Sequence, residues 1–190
     1  MNIAEGFILI IMIVLIIFYI QYQNIEVEYV ISSIDGKAYL VKNLPDKKEA
    51  SNLLAKLNKT LQKLIIKMKE KYPESKDVER LISNFSPDSL SEGTETSNYT
   101  SYSVNKGEKI VFSLRSRDGQ DNLVPLNILK YVAIHELAHL MTKEIGHPPV
   151  FWDNFKLLLQ VAIDEGLYKH TNYSKKPAKY CGMTIKSSVI

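Results

Sequence analysis

The sequence predicts an α+β fold: a small antiparallel or mixed sheet packed on a helix with a His-Glu-x-x-His motif, flanking helices, and an N-terminal transmembrane helix. Two stretches alternate apolar and polar residues around a turn, which is typical of β-hairpins. Longer stretches repeat apolar residues every three or four positions, which is typical of helices with one buried face. The chain also opens on an unbroken apolar run. We therefore predict an anchor at residues 1–24 and one folded domain at residues 25–190.

The apolar run covers Phe7–Ile20 and, with its flanking residues, approaches the roughly 20 residues that a membrane-spanning helix needs. A cleaved signal peptide is disfavoured, because only Glu5 is charged before the run and no small-residue cleavage site follows it. A buried core helix would show a polar face, and this run has none. We predict an uncleaved single-pass anchor, whose orientation stays open because the nearest downstream charges are acidic.

Two hairpins are expected in the folded domain. Residues 25–32, IEVEYVIS, alternate between apolar and charged positions, and Asp35-Gly36 then separates them from a second apolar stretch. Asp-Gly between apolar runs is a strong hairpin signal. A second pair of β-prone runs surrounds Asn105-Lys106-Gly107.

Four helices are expected beside the hairpins. The first begins near Pro45-Asp46 and ends before Pro73, a short one covers residues 76–82, and two longer ones cover about residues 127–145 and 150–168. The polar stretch at residues 86–99 is interpreted as a loop.

Composition limits the classes of partner. Of 190 residues, 24 are basic and 21 acidic, so the formal net charge of +3 gives no strong evidence for nucleic acid as a partner. The densest basic cluster, Lys175, Lys176 and Lys179, is interpreted as a solvated tail. The single cysteine, Cys181, allows no intrachain disulfide. The oligomeric state is not defined by the sequence.

Residues 134–152 read IHELAHLMTKEIGHPPVFW and predict a zinc site. His135 and His139 are four residues apart, so both imidazoles project from one face of a helix and can bind one metal ion. Glu136 points about a hundred degrees away and can act as general base on a water held in the open position of the metal. Asn127 can cap this helix at its start.

A third ligand is needed for a catalytic zinc site. Gly146 is a natural end for the helix, and Pro148 favours an extended conformation at His147, so the chain can return a third imidazole to the metal. Carboxylates from the last helix are the alternative third ligands: Asp153, Asp164 and Glu165. We expect the neighbouring aromatic residues Phe151, Trp152 and Phe155 to belong to the core that fixes the His147 loop.

The segment HELAH…GHPPVFW resembles the zinc peptidase domains of the SprT-like and WLM (Wss1-like) group, where a His-Glu-x-x-His helix precedes a variable stretch and Gly-His-x-x-x-Phe. The stretches DGKAYLVKNLPDKKEA, SYSVNKGEKIVFSLR and YCGMTI are similar to those of membrane-anchored members from large DNA viruses. The resemblance covers about residues 30–185. It implies that His135, His139 and His147 bind zinc and that Glu136 is the general base. The match is loosest at LMTKEIG, which is longer than the corresponding stretch of many Wss1-like proteins.

These observations predict a membrane-anchored zinc metalloendopeptidase, a hydrolase that cleaves protein or peptide substrates with a zinc-activated water and one Zn²⁺ per chain. Its location would be a host or virion membrane. The alternative is a catalytically silent membrane or virion structural or binding protein with the same fold; a zinc hydrolase of non-peptide amides is a third hypothesis. Three residues are candidates for the group that would stabilise an oxyanion: Tyr168, Tyr173 and Arg115.

Overall fold

Both predicted hairpins form, and they belong to one five-stranded sheet. The computed structural model describes residues 3–23, 26–94 and 100–190. In it β1 (Val27–Ile31) pairs antiparallel with β2 (Ala38–Lys42). A third strand, β3 (Leu90–Glu92), lies inside the stretch that we expected to be a loop. The second hairpin consists of β4 (Ser101–Val104) and β5 (Lys109–Phe112).

Strand β3 joins the two hairpins. It runs parallel to β2 on one side and to β5 on the other, which gives the order β1-β2-β3-β5-β4 and makes the sheet mixed. All three of its residues are buried. Strand β4 consequently lies at one edge of the sheet, and this edge borders the candidate site.

The helices largely follow the predicted positions, and their bounds are α1 (Ile3–Gln23), α2 (Lys47–Lys71), α3 (Lys76–Asn84), α4 (Leu126–Met141) and α5 (Pro149–Asp164). A short hairpin that the sequence reasoning missed follows α5 and consists of β6 (Ala178–Tyr180) and β7 (Met183–Ile185). Helix α2 places its predicted apolar face in the core, where Leu54, Leu57, Leu61 and Leu64 are fully buried. This core lies between the sheet and the helices, and α2 packs against both the sheet and α4.

The predicted transmembrane helix is wrong. Helix α1 forms, and the apolar side chains from Phe7 to Tyr19 are exposed. Within the described parts of the chain, however, no helix has the length and apolar character needed to cross a membrane. The unbroken apolar run of residues 7–20 gives about 21 Å of helix, whereas the hydrocarbon core of a bilayer is about 30 Å thick. The single-pass location that depended on this helix is therefore not supported, and residues 1, 2 and 24 of the predicted anchor lie outside the described residues.

Helix α4 differs from the prediction at both ends. It begins one residue before Asn127, whose side chain does not cap it but bonds the backbone of Lys169, both as donor at 2.9 Å and as acceptor at 3.1 Å. It ends at Met141, before Gly146, because Thr142 adopts an extended conformation. Gly146 has a φ of 84° and forms part of the loop that leads to His147.

Candidate metal centre

Three imidazoles meet at the exposed face of α4. His135 and His139 lie one turn apart on this helix, with ring centroids 4.9 Å apart. The loop after α4 brings His147 back to them, and its Nε2 lies 3.2 Å from Nε2 of His135. One ligand atom from each of the three residues lies within 4.8 Å of the others. The structure thus brings together the three residues predicted to bind zinc, and zinc binding itself stays a prediction.

The loop that carries His147 is fastened at its beginning. Nζ of Lys106 donates hydrogen bonds to the carbonyl oxygens of His139 at 3.3 Å, Thr142 at 2.8 Å and Glu144 at 3.0 Å. Asn154 of α5 also donates to the hydroxyl of Thr142, at 3.0 Å in a buried position. The carbonyl group of His139 lies in the last turn of α4, where it has no partner within the helix, and those of Thr142 and Glu144 follow that turn. The bonds from Lys106 and Asn154 therefore fix where the chain leaves α4.

Aromatic rings support the imidazoles from the side of α5. Phe151 is fully buried, and its ring centroid lies 4.4 Å from that of His139 and 4.6 Å from that of His147. Phe155 is buried against His135, with centroids 5.3 Å apart. Both residues are core, as predicted. Trp152 is different, because it is 43% exposed and lines a cavity beside the site.

The electrostatics favour neutral imidazoles. Burial, together with the neighbouring His139 and His147, lowers the pKa of His135 to about 3. Burial and the proximity of His147 and Lys106 lower the pKa of His139 to about 4. Neutral imidazole nitrogen is the form that binds a metal ion, so these ligand atoms need not lose a proton near neutral pH.

Glu136 lies next to the histidine cluster but on an adjacent face of α4. Its side chain is buried, and burial raises its pKa to about 7. A carboxyl group with a pKa in this range can take up and release a proton near neutral pH, as a general base or acid must. The role of Glu136 as general base stays a prediction.

The alternative third ligands point elsewhere. Asp153 is exposed on α5, Asp164 accepts a hydrogen bond from Gln160 at 2.8 Å, and Glu165 pairs with Lys71 at 2.9 Å. In the part of the chain that the structure describes, the three histidines form the one group of three or more potential ligands whose donor atoms converge.

The three oxyanion candidates do not border the histidines. Tyr168 and Tyr173 are buried with Tyr131 in an aromatic cluster, where the rings of Tyr131 and Tyr173 are 4.9 Å apart. Arg115 is buried in an ion pair with Glu92 at 2.9 Å and a second with Asp46 at 2.7 Å.

Tyr180, which no sequence pattern indicated, lies at the site. It is 1% exposed, its hydroxyl lies 2.7 Å from that of Ser101 on β4, and it lines a cavity together with His135 and Glu136. The YCGMTI segment, which includes Tyr180, resembles viral proteins, but no spacing rule connects it to the histidine helix.

Two cavities open on either side of His135 and Glu136. The first, the histidine groove, has a volume of about 770 Å³ and is bordered by β4, Lys106 and the three histidines. The second, the aromatic pocket, has a volume of about 440 Å³. Its walls are mostly apolar and come from α4, α5 and the β6–β7 hairpin: Tyr131, Val132, Trp152, Phe155, Tyr180 and Ile185.

Comparison with known proteins places the chain in a viral family. A family model described as Phycodnaviridae minor capsid protein P4 matches residues 37–187. The chain belongs to this family. The match to the P4 family includes the sheet from β2 onward and all residues of the candidate metal centre.

Over 188 residues the chain is 37% identical to an uncharacterised protein of Acanthamoeba polyphaga mimivirus, with 96% of this chain and 94% of that protein covered. An uncharacterised protein of Invertebrate iridescent virus 6 is 35% identical over 81 residues, which is 43% of this chain and 44% of that protein.

The fold of this P4 family member also resembles a solved structure. A crystal structure of a Wss1 mutant from Saccharomyces cerevisiae aligns with 67% of this chain and 91% of its own, with a TM-score of 0.50 and 23% sequence identity. This likeness shows the fold alone. The viral part of the predicted resemblance is confirmed by the family match, and the Wss1-like part is confirmed for the fold. Membrane anchoring is not confirmed.

Proposed function

We propose that the protein is a virion-associated minor capsid component whose metallopeptidase-like fold holds one zinc ion. Membership of the P4 family over residues 37–187 is the observation that carries the capsid role. The matched region contains the entire histidine cluster, so the metal centre belongs to the family domain and not to an appended segment.

The side chains present fit a zinc ion. His135, His139 and His147 supply three nitrogen donors within 4.8 Å of one another, and zinc is commonly held by imidazole nitrogen. The lowered pKa values of His135 and His139 keep these donors unprotonated. Such a site binds metal only in the folded chain, so zinc would also stabilise the fold.

Metal analysis of the purified full-length protein tests the zinc part. We expect about one zinc per chain in the wild type, and loss of the zinc in His135→Ala. His170→Ala is the matched control, because His170 is exposed and lies away from the cluster, near the carbonyl of Ile190 at 3.2 Å. Folded wild-type protein without zinc would overturn this part.

The capsid part is tested in purified virus particles. Quantitative mass spectrometry should find the protein in the particle at a fixed ratio to the main coat protein. A virus that encodes Glu136→Gln should incorporate the protein at the same ratio, because that variant retains the shape of the side chain. Absence of the protein from intact particles would contradict the capsid role.

Peptide hydrolysis is the second candidate, and Glu136 is the observation that favours it. A purely structural zinc site has no use for a buried carboxyl group with a pKa of about 7 beside its ligands. When bound, zinc would supply Lewis-acid chemistry that polarises a water or a peptide carbonyl. Glu136 would accept the proton of the attacking water and pass it to the leaving amine.

The two candidates differ in what Glu136→Gln changes. If the protein is a peptidase, this variant should keep its zinc and lose about 10²–10⁴-fold of its cleavage rate on a peptide library. If the role is structural, wild type and variant should give the same peptide pattern. Wild type and variant are compared as zinc-loaded full-length chains, so that a loss of cleavage cannot come from a loss of zinc.

A further inference from the structure

Strand β1 forms the edge of the sheet that lies farthest from the candidate metal centre. The strand order places it at one end, and within the described chain it pairs with β2 alone. Its outer face is apolar and open to solvent, because Tyr29 is 73% and Ile31 is 62% exposed. The strand, VEYVI, contains no lysine and no proline, the residues that commonly prevent an edge strand from pairing with another chain. This edge is therefore suited to receive a further strand.

The backbone of β1 directs alternate residues toward the open side. At its two ends the bonds to the neighbouring chain come from even-numbered residues: the carbonyl oxygen of Glu26 accepts from Asn43, and the amide of Ser32 donates to Lys37. In an antiparallel pair these hydrogen-bonded positions alternate with positions whose backbone groups point away. The groups that point to the open side therefore belong to the odd-numbered residues: Val27, Tyr29 and Ile31.

A side chain from α2 agrees with this direction. The ammonium group of Lys48 donates a hydrogen bond to the carbonyl oxygen of Ile31, which consequently cannot face β2. Lys48 occupies one lone pair of that oxygen, and a backbone carbonyl has two. The exposed lysine thus leaves room for a backbone amide at the same carbonyl group.

We propose that β1 pairs antiparallel with β1 of a second copy of this chain, about a two-fold axis at Tyr29. Tyr29 then faces Tyr29 of the second copy, and Val27 faces Ile31. These are all hydrogen-bonded positions, so the outward backbone groups of both strands find partners. Because both copies use the same surface, the pairing closes at a dimer. The two sheets become one continuous sheet, with a candidate metal centre at each far edge.

The side chains of β1 favour its own copy as the partner. On the outer face the pairing places apolar residues opposite apolar residues, with an aromatic pair at the axis. On the inner face Glu28 lies opposite Val30, and Glu28 already pairs with Lys47 of its own chain. A register shifted by two residues toward the start of the strand would place Glu28 opposite Glu28, as like charges disfavour. Charge thus selects the register centred on Tyr29.

The dimer is independent of the proposed function. It requires neither zinc nor peptide cleavage, and β1 precedes the region that matches the P4 family. The interface consists of a strand of five residues from each copy and the side chains around it, which is small for a stable complex. We therefore expect monomer and dimer in equilibrium.

Sedimentation equilibrium of the full-length protein tests the pairing. Tyr29→Lys places two ammonium groups opposite each other at the axis, so it should weaken the dimer about tenfold or more, and Tyr29→Glu should do the same. An equimolar mixture of the two variants should associate again, because lysine then faces glutamate. Ile66→Lys is the matched control, since it makes the same kind of change at a 55% exposed side chain of α2.

Three results would overturn the dimer: a wild type that stays monomeric, a mixture that associates no better than either variant alone, or an equal effect of Tyr29→Lys and Ile66→Lys. Association through the exposed apolar residues of α1 would give the last of these results, because it would be insensitive to residue 29.

Disulfide crosslinking tests the register. Hydrogen-bonded antiparallel pairs have Cα atoms about 5.5 Å apart, which a disulfide can span, so Tyr29→Cys should form a covalent dimer in a glutathione buffer. Ile31→Cys is the control on the same strand, because its two copies would lie about 14 Å apart. The one native cysteine, Cys181, is buried and does not compete. Equal crosslinking of the two variants, or none with Tyr29→Cys, would contradict a two-fold axis at Tyr29.

Discussion

The ammonium group of Lys106 donates a hydrogen bond to the carbonyl oxygen of Thr142 at 2.8 Å, where the histidine helix ends. The same group reaches the carbonyl oxygens of His139 and Glu144. A residue of the β4–β5 turn thereby connects the last turn of α4 to the loop that carries His147. A cation at a helix C-terminus is also favoured by the helix dipole. Lys106 is therefore a positioning residue for the third predicted ligand.

Lys106→Met should weaken zinc binding about tenfold, because the loop of His147 loses its attachment while His135 and His139 remain in place. Lys106→Arg should recover most of the affinity, since it restores a charged donor. Lys109→Met is the control, because Lys109 is exposed on β5. The measurement is the zinc dissociation constant by competition with a chromophoric chelator. An unchanged constant in folded Lys106→Met would show that the loop needs no such attachment.

The turn that presents Lys106 requires glycine at its next position. Gly107 has a φ of +112°, and a Cβ atom built there would lie 2.1 Å from the carbonyl oxygen of Asn84. Gly119, with a φ of +84°, has open space around it. We expect Gly107→Ala to lower the free energy of unfolding by at least about 2 kcal/mol more than Gly119→Ala, which carries only the backbone strain. Urea denaturation of both variants measures this difference, and equal losses would contradict the close approach.

The two hairpins and the helix faces were predictable because their signals are local. Asp35-Gly36 and Asn105-Lys106-Gly107 mark turns within a few residues, and a spacing of four places His135 and His139 side by side. Strand β3 could not be found this way. It has only three residues in a polar stretch, and its burial comes from strands that are distant in sequence.

The site was predictable in part for the same reason. The sequence could nominate His147, but its approach to His135 depends on Lys106 and Asn154, which contact the intervening loop from other elements. Tyr180 reaches the site through the β6–β7 hairpin, which no periodic pattern in the sequence predicts. The transmembrane prediction failed because an apolar run was extended into flanking residues that do not continue it.

The buried pair of Arg115 and Glu92 should be important for stability although it lies away from the metal centre. Both side chains are almost fully buried, and burial raises the pKa of the Glu92 carboxyl above its ordinary value while Arg115 opposes that rise. Arg115→Leu should lower the free energy of unfolding by about 3–5 kcal/mol, because Glu92 would then be buried away from water without a cationic partner. Lys37→Met, which breaks the exposed pair with Asp88, should cost less than about 1 kcal/mol. Equal costs in urea denaturation would contradict this assignment.

We propose that His135, His139 and His147 together hold one zinc ion. X-ray absorption spectroscopy at the zinc edge, on the full-length protein, examines the ligands directly. We expect three imidazole nitrogens at about 2.0–2.1 Å from the zinc in the wild type, and only two in His147→Ala. A shell that contains sulfur at about 2.3 Å, or a wild-type spectrum unchanged by His147→Ala, would contradict it.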